Sequence, residues 1–173
     1  MKYIKIIFII GLILSLSGCA QKALMKNMTV KHIDKQTLDL NYKNAISIQS
    51  TNGGTETSSM GTSQIDNDEF KKAVIASLIN AGLYSRGGKY KLKIEIVDIE
   101  QPSFGLDMTV TMTVKYTLLN YENKSIVFQR TIKSPYTATV GDAFAGIKRL
   151  QLANEGSAKE NIYKLLKEFQ ISY

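Results

Sequence analysis

The sequence predicts an α+β domain in which an antiparallel sheet of about four strands is covered on one face by two helices. Three observations support this prediction: strands that alternate apolar and polar residues, two amphipathic helical segments, and the order β-α-β-β-β-α. Strict alternation indicates one buried and one solvated face, which is typical of antiparallel sheets. Because the apolar face needs a cover and the two helices are the available candidates, we expect a two-layer sandwich.

The first strand is predicted at Ala45 to Ile48, and the first helix follows a loop rich in Gly, Ser and Thr. Asp66 is a good N-cap residue, and Glu69 stands three residues later, as in a capping box. Apolar residues then recur at helical spacing up to Ala81, and Gly82 suits the left-handed end of a helix. These signals predict a helix between Asp66 and Gly82.

Three strands are predicted next. Apolar and polar residues alternate from Tyr90 to Ile96 and again from Met108 to Leu118, where the period of two indicates a half-buried strand. A further strand runs from Ile126 toward Pro135. We expect the Thr-rich face of these strands to be solvated.

The last predicted element is a helix between Ile147 and Phe169. Gly156 interrupts its apolar face, so the segment is either one helix with a weak point or two shorter helices. A glycine inside a helix costs about 1 kcal/mol relative to alanine. We therefore expect another part of the chain to pack closely against Gly156.

The chain begins with a pattern typical of an export signal. Lys2 and Lys5 precede an apolar run that is well short of the roughly 20 residues of a membrane-spanning helix. The tetrapeptide Leu-Ser-Gly-Cys that ends at Cys19 resembles the lipobox of bacterial lipoproteins. The resemblance implies cleavage before Cys19, a diacylglycerol thioether on its sulfur and, usually, acylation of the new amino terminus. The alternative is an ordinary signal peptide that happens to be followed by a cysteine.

These features divide the chain into three parts: a signal peptide (1–18), a lipidated N-terminus and tether (19–44), and an α+β domain (45–173). Residues 20–44 are assigned to the tether because Lys and Asn are frequent there and apolar residues are scattered. Within them, the alternating fragment Thr37 to Tyr42 predicts at most a short edge strand. In the sorting rule of enteric lipoproteins, Ala20 after the lipidated cysteine implies the outer membrane, with the domain facing the periplasm, if the organism is Gram-negative. In an organism without an outer membrane, the prediction is a lipoprotein of the cell membrane.

Charge and cysteine content exclude several classes of function. The formal net charge is +7, and the signal peptide contributes two of the 22 basic residues and none of the 15 acidic ones. This mild basicity favours anionic surfaces such as phospholipid headgroups. The sequence lacks the basic, aromatic-interleaved motifs of nucleic-acid-binding proteins. Because Cys19 is the single cysteine, neither a disulfide framework nor a thiolate metal site can form.

No residue pattern predicts catalysis, a bound metal or a cofactor. The single histidine, His32, lies in the predicted tether, where it is a poor general base. A Ser-Lys pair stays open, because such pairs leave no pattern in a sequence. Asp66, Asp68 and Glu69 cluster, but helix capping explains them better than a metal site does.

The stretch from Val140 to Glu155 is the least ordinary part of the domain. It lies at a predicted strand-to-helix junction and contains a candidate interaction surface of five residues: Asp142, Lys148, Arg149, Asn154 and Glu155. The structural alternative is that Asp142 caps the helix and Asn154 satisfies a buried backbone group.

Three segments of the domain resemble a family of uncharacterised Gram-negative outer-membrane lipoproteins: FKKAVIASL (70–78), QPSFGLDMTV (101–110) and TATVGDAFAGIKRLQLANE (137–155). The resemblance implies a lipobox followed by a small α+β domain. Some members carry the label of a UDP-N-acetylglucosamine acyltransferase. Acyltransferases of that class are built on hexapeptide repeats and use a histidine base, whereas this chain has no such repeats and its one histidine lies in the predicted tether.

We therefore expect a lipid-anchored, non-enzymatic envelope protein that binds an unidentified envelope protein. Its oligomeric state is left open by the sequence. The alternative is a carrier or accessory for a lipid or other apolar ligand, which should contain an apolar cavity of about 300 Å³ or more. A periplasmic enzyme is a third class of function.

Overall fold

The computed structural model describes residues 20–58 and 62–171. The predicted signal peptide and Cys19 lie outside the described residues, so their assignment stays a prediction. The helices and strands, in chain order, are α1 (Met25–Met28), β1 (Ile46–Asn52), α2 (Asn67–Ala81), β2 (Tyr90–Glu100), β3 (Met108–Asn120), β4 (Ile126–Ala138) and α3 (Gly146–Lys167).

The predicted α+β architecture is confirmed. The four strands form one sheet in the order β1-β2-β3-β4, with α2 packed against β1 and α3 against β3 and β4. The pairs β2–β3 and β3–β4 are antiparallel, as expected. The pair β1–β2 is parallel, which corrects the prediction of a wholly antiparallel sheet. The helix α2 connects these two strands, and a helical crossover is the usual connection between parallel neighbours.

The alternation along β3 separates a covered face from a more solvated one. Val110 and Val114 are fully buried, whereas Thr109 is exposed and Thr111 and Thr113 are partly exposed. The apolar face lies under the helices, and the Thr-rich face points away from them. This arrangement is the expected consequence of a period of two in a sheet with a single cover.

The ends of α2 are set by local signals. The side chain of Asp66 accepts a hydrogen bond from the backbone N–H of Glu69 at 2.7 Å, and Gly82 has the left-handed φ of +76°. The Glu69 carboxylate accepts from the backbone N–H of Met25 at 2.9 Å, where a full capping box would turn it back to Asp66. Half of the capping box is therefore used to bind the N-terminal segment.

The helix α3 is continuous through Gly156. A Cβ atom at this position would lie 2.3 Å from Cδ1 of Tyr136. The expected close packing is confirmed, and the partner is an aromatic ring of β4.

The structure differs from the prediction for residues 20–44. Ala23, Met28 and Val30 are buried in the main core, and the backbone N–H of Val30 donates to Oγ of Ser77 at 2.9 Å. The segment therefore fills the space between α2 and α3 instead of forming a tether. The fragment Thr37 to Tyr42 contains two short 3₁₀ turns and a single bridge residue, Leu38, instead of an edge strand.

Candidate functional site

The five residues of the predicted interaction surface do not form one surface. Asp142 and Lys148 are exposed, but Arg149, Asn154 and Glu155 are buried. The helix α3 lies on the sheet with these three side chains turned inward. For Arg149 and Asn154, the prediction of an accessible surface is corrected, whereas Glu155 is 3% exposed and borders the groove described below.

Arg149 holds two loops together. Its Nη1 donates to the carbonyl oxygens of Ala143, at 2.8 Å, and Phe144, and its Nη2 lies 3.5 Å from the carbonyl oxygen of Gly105. The guanidinium fork thus joins the β4–α3 loop to the β2–β3 loop. A planar group with several donors can satisfy such divergent carbonyls, and an ammonium group cannot reproduce the geometry.

Asn154 satisfies a buried backbone group. Its Nδ2 donates to the carbonyl oxygen of Ser63 at 2.9 Å, and its Oδ1 accepts from Nε2 of Gln101 at 2.8 Å. Glu155 binds the N-terminal segment, since its Oε1 accepts from the backbone N–H of Leu24 at 3.0 Å. The second oxygen, Oε2, is buried and has no hydrogen-bond partner among the described residues.

Asp142 stabilises a turn and does not cap α3, whose N-cap residue is Ala145. The carboxylate accepts from the backbone N–H of Thr139 at 2.7 Å and from the hydroxyl of the same residue at 3.0 Å. These two hydrogen bonds, first the backbone one, lower the pKa of Asp142. Lys148, an exposed residue, donates to Oε1 of the buried Gln151 at 2.8 Å.

A buried polar network was missed by sequence reasoning. The Nδ2 of Asn161 donates to the carbonyl oxygen of Ile132 at 3.0 Å and to Oγ of Ser134 at 2.8 Å, while its Oδ1 accepts from the hydroxyl of Tyr116 at 2.9 Å. Ser157, one turn earlier, bridges β3 and β4, because its Oγ accepts from the backbone N–H of Met112 at 3.0 Å and donates to the carbonyl oxygen of Ser134 at 2.7 Å. Full burial raises the pKa of Tyr116 well above its usual range. The signal was present, because Ser157 and Asn161 are polar residues next to the apolar Ala158 and Ile162 on the buried face of α3.

The structure also forms an open groove of about 790 Å³ that the sequence did not predict. Residues 26–32 form one wall, α3 forms the other, and Tyr136 and Ala138 of β4 complete the lining. Its lining includes basic and acidic side chains: Lys26, Lys31, His32, Lys159, Asp142, Glu155 and Glu160. Burial of the N-terminal segment against the helices creates this groove.

The groove brings charged groups together without an arrangement of nucleophile, base and orienting group. His32 is exposed, and in the part of the chain that the structure describes its side chain has no hydrogen-bond partner. Among residues 20–58 and 62–171, no group of three or more His, Cys, Asp or Glu side chains is placed to hold a metal ion. The expectation that the chain is not an enzyme stays a prediction.

No helix in the described part of the chain combines the length and the apolar character needed to cross a membrane.

Neither a protein-family model nor a curated protein matches the sequence. Several solved structures resemble the fold. A Xanthomonas campestris protein of the DUF330 family is 18% identical with a TM-score of 0.51, over 73% of this chain and 74% of that one. A dodecameric PelC variant from Paraburkholderia phytofirmans is 15% identical with a TM-score of 0.50, over 76% of this chain and 91% of that one. A candidate lipoprotein of Caulobacter crescentus is 15% identical with a TM-score of 0.49, over 75% of this chain and 88% of that one. At these identities, the first two matches show that the chain shares their fold.

Proposed function

We propose that the protein is a lipid-anchored, non-enzymatic envelope protein that binds a polar protein partner in the groove between residues 26–32 and α3. The observation that carries the proposal is the mixed charge of this groove beside a domain that begins at Ala23, directly after the candidate lipidation site. Lipid attachment at Cys19, with a periplasm-facing position at the outer membrane implied by Ala20, is part of the same proposal.

The carrier alternative fits the groove less well. A site for an apolar ligand is expected to be lined mainly by hydrophobic side chains. Four basic and three acidic side chains line this groove, and the large residues Phe70, Tyr116 and Phe169 are fully buried in the main core and do not line it. Placing an acyl chain against such walls would desolvate charges without pairing them. A partner that presents charges of both signs suits the lining better.

Lipid attachment is tested with Cys19→Ser. We expect the wild-type chain to incorporate radioactive palmitate in cells and the variant to incorporate none, with the variant released from the membrane fraction. Labelling of the variant would overturn the anchor.

Partner binding is tested by reversing charge in the groove. The double variant Lys26→Glu/Lys159→Glu changes both walls, and Lys71→Glu/Lys93→Glu is a control of equal charge on exposed positions outside the groove. We expect affinity purification from detergent-solubilised envelopes to recover one protein with the wild type and the control, and to lose it with the groove variant. Equal recovery in all three samples would exclude the groove as the binding site.

A further inference from the structure

Large apolar side chains face solvent where β2 and β4 end. Phe104 and Leu106 in the β2–β3 loop are 88% and 78% exposed, and Phe144 in the β4–α3 loop is 93% exposed. Ile147, in the first turn of α3, is about half exposed. We call this region, residues 101–107 with 139–147, the loop end. Burying a Phe or Leu side chain is worth about 1.5–3 kcal/mol, and folding of this domain leaves most of that free energy unused.

The two loops are held in place from inside the domain. Arg149 is 6% exposed, and its guanidinium donates to the carbonyl oxygens of both loops. Met108 and Leu150 pack beneath it in a second small core. The apolar side chains are thus presented from a fixed backbone, side by side, on two loops that are distant in sequence.

The N-terminus of the domain emerges at this same end. The carbonyl oxygen of Lys22 accepts from Nε2 of Gln151 at 2.8 Å, and Gln151 lies about 6 Å along the helix axis from Ile147. Only Ala20 and Gln21 stand between Cys19 and Lys22, and the three Cα-to-Cα steps from Lys22 to Cys19 span at most about 11 Å. The chain therefore delivers the candidate lipid anchor close to the loop end.

We propose that the loop end enters the interfacial region of the bilayer that holds the lipid of Cys19, with Phe104, Leu106 and Phe144 as the inserted side chains. The inference rests on the lipid anchor of the proposed function. An anchor this close keeps the loop end at a high effective concentration beside the bilayer, so a few apolar side chains suffice. Lys148, exposed beside Ile147, suits the phosphates of the headgroups.

Docking of the loop end would orient the groove. Lys159 in the groove lies twelve residues after Ile147 on α3, which corresponds to about 18 Å along the helix. Because Asp142 of the loop end also lines the groove, the groove would start at the headgroups, and its Lys159 end would stand above them, where a water-soluble partner can reach it. The lipid anchor and the two loops together fix the orientation of the domain relative to the bilayer, whereas the anchor alone would let the domain rotate.

The test uses the full lipidated chain in vesicles of phosphatidylethanolamine and phosphatidylglycerol. Because lipid occupies the only native cysteine, Phe144→Cys introduces a single reactive thiol for an environment-sensitive fluorophore. Lys93→Cys, exposed on β2, is the matched control. We expect blue-shifted emission and quenching by nitroxide-labelled lipids at position 144, and neither at position 93. Adding Phe104→Ser to Phe144→Cys should weaken partitioning of the loop end by about tenfold, which shows that the protein and not the label drives insertion.

Each of the other outcomes overturns either the docking of the loop end in the membrane or the lipid anchor. A lipidated chain whose probe at position 144 stays in water overturns the membrane-docked loop end and leaves the anchor intact. A probe that is shielded only in native envelopes and not in pure lipid means that a protein covers the loop end, which also overturns the inference. Quenching at both positions means a different orientation. Reaction of Cys19 itself with the fluorophore shows a free thiol and overturns the anchor of the proposed function.

Discussion

The two ends of the sheet use aromatic side chains in opposite ways. At the end opposite the loop end, Tyr42 packs against Tyr90 and Phe169 with ring centroids 5.3 and 5.2 Å apart, and Phe128 lies 5.5 Å from Phe169. Phe169 is fully buried there. At the loop end, Phe144 is 93% exposed. One end closes the core with rings, and the other presents a ring to its surroundings.

The loop end is instead held by hydrogen bonds from polar side chains to the backbone. Arg149 donates to the carbonyl oxygens of both loops. Beside the loop end, the N-terminal segment is held in the same way, since Gln151 donates to the carbonyl oxygen of Lys22 and Glu69 accepts from the N–H of Met25. Such hydrogen bonds stabilise the backbone without burying the apolar side chains of the loops. The comparison shows how one small domain can fold firmly and still keep its apolar loop residues available for a second environment.

The largest expected change in the free energy of unfolding distinguishes the two ends of the sheet. Phe169→Ala should lower the free energy of unfolding by about 3–5 kcal/mol, because it leaves a cavity among packed rings. Phe144→Ala, the matched change at the loop end, should stay within about 0.5 kcal/mol, as exposed substitutions usually do. Urea unfolding of both variants in detergent measures the difference. Similar losses in the two variants would mean that the Phe144 ring is packed in the free protein.

A smaller effect is expected at Arg149. Arg149→Lys removes the planar fork but keeps the charge, so we expect a loss of about 1.5–3 kcal/mol from hydrogen bonds to a charged group. Lys148→Ala, one residue earlier and exposed, is the control and should change unfolding by less than about 0.5 kcal/mol.

Thermal and urea unfolding of the Arg149 and Lys148 variants give the measurement. If Arg149→Lys unfolds like the wild type but no longer recovers a partner, Arg149 belongs to an interface and the structural role assigned to it here is incorrect.

The smallest expected effect is a loss of stability at acid pH. The hydrogen bond from the backbone N–H of Met25, aided by Lys72 and Lys22, holds the pKa of the Glu69 carboxyl below its usual value of 4.5, although partial burial opposes the shift. A lowered pKa in the folded state contributes stability above pH 4.5 that is lost as the pH falls through the folded value. Acid should therefore weaken the attachment of the N-terminal segment at the loop end.

Glu69→Gln tests this contribution. We expect it to cost less than about 1 kcal/mol at neutral pH and to flatten the pH dependence of unfolding below pH 4.5. Urea unfolding of the wild type and of Glu69→Gln, measured across this pH range, gives the comparison. If the free energy of unfolding of Glu69→Gln still falls steeply in acid, other carboxyl groups cause that pH dependence.

The sequence by itself determined the elements whose signals are local. The period of two along β3 and the helical spacing between Asp66 and Gly82 are properties of neighbouring residues, and the structure confirms both. The close contact at Gly156 was also predictable, because a glycine inside a helix is costly without a packing partner.

Only the tertiary structure decided what depends on contacts between distant residues. The parallel direction of β1, the packing of residues 23–38 between the helices, and the inward turn of Arg149 and Asn154 follow from which surfaces meet. The composition of a Lys- and Asn-rich segment indicates a tether. In the folded chain, its few apolar residues fill a space between two helices, and this packing is not visible in the sequence. Likewise, a polar residue on a helix is equally suited to solvent and to an unsatisfied carbonyl, and only the position of that carbonyl in the folded chain selects between them.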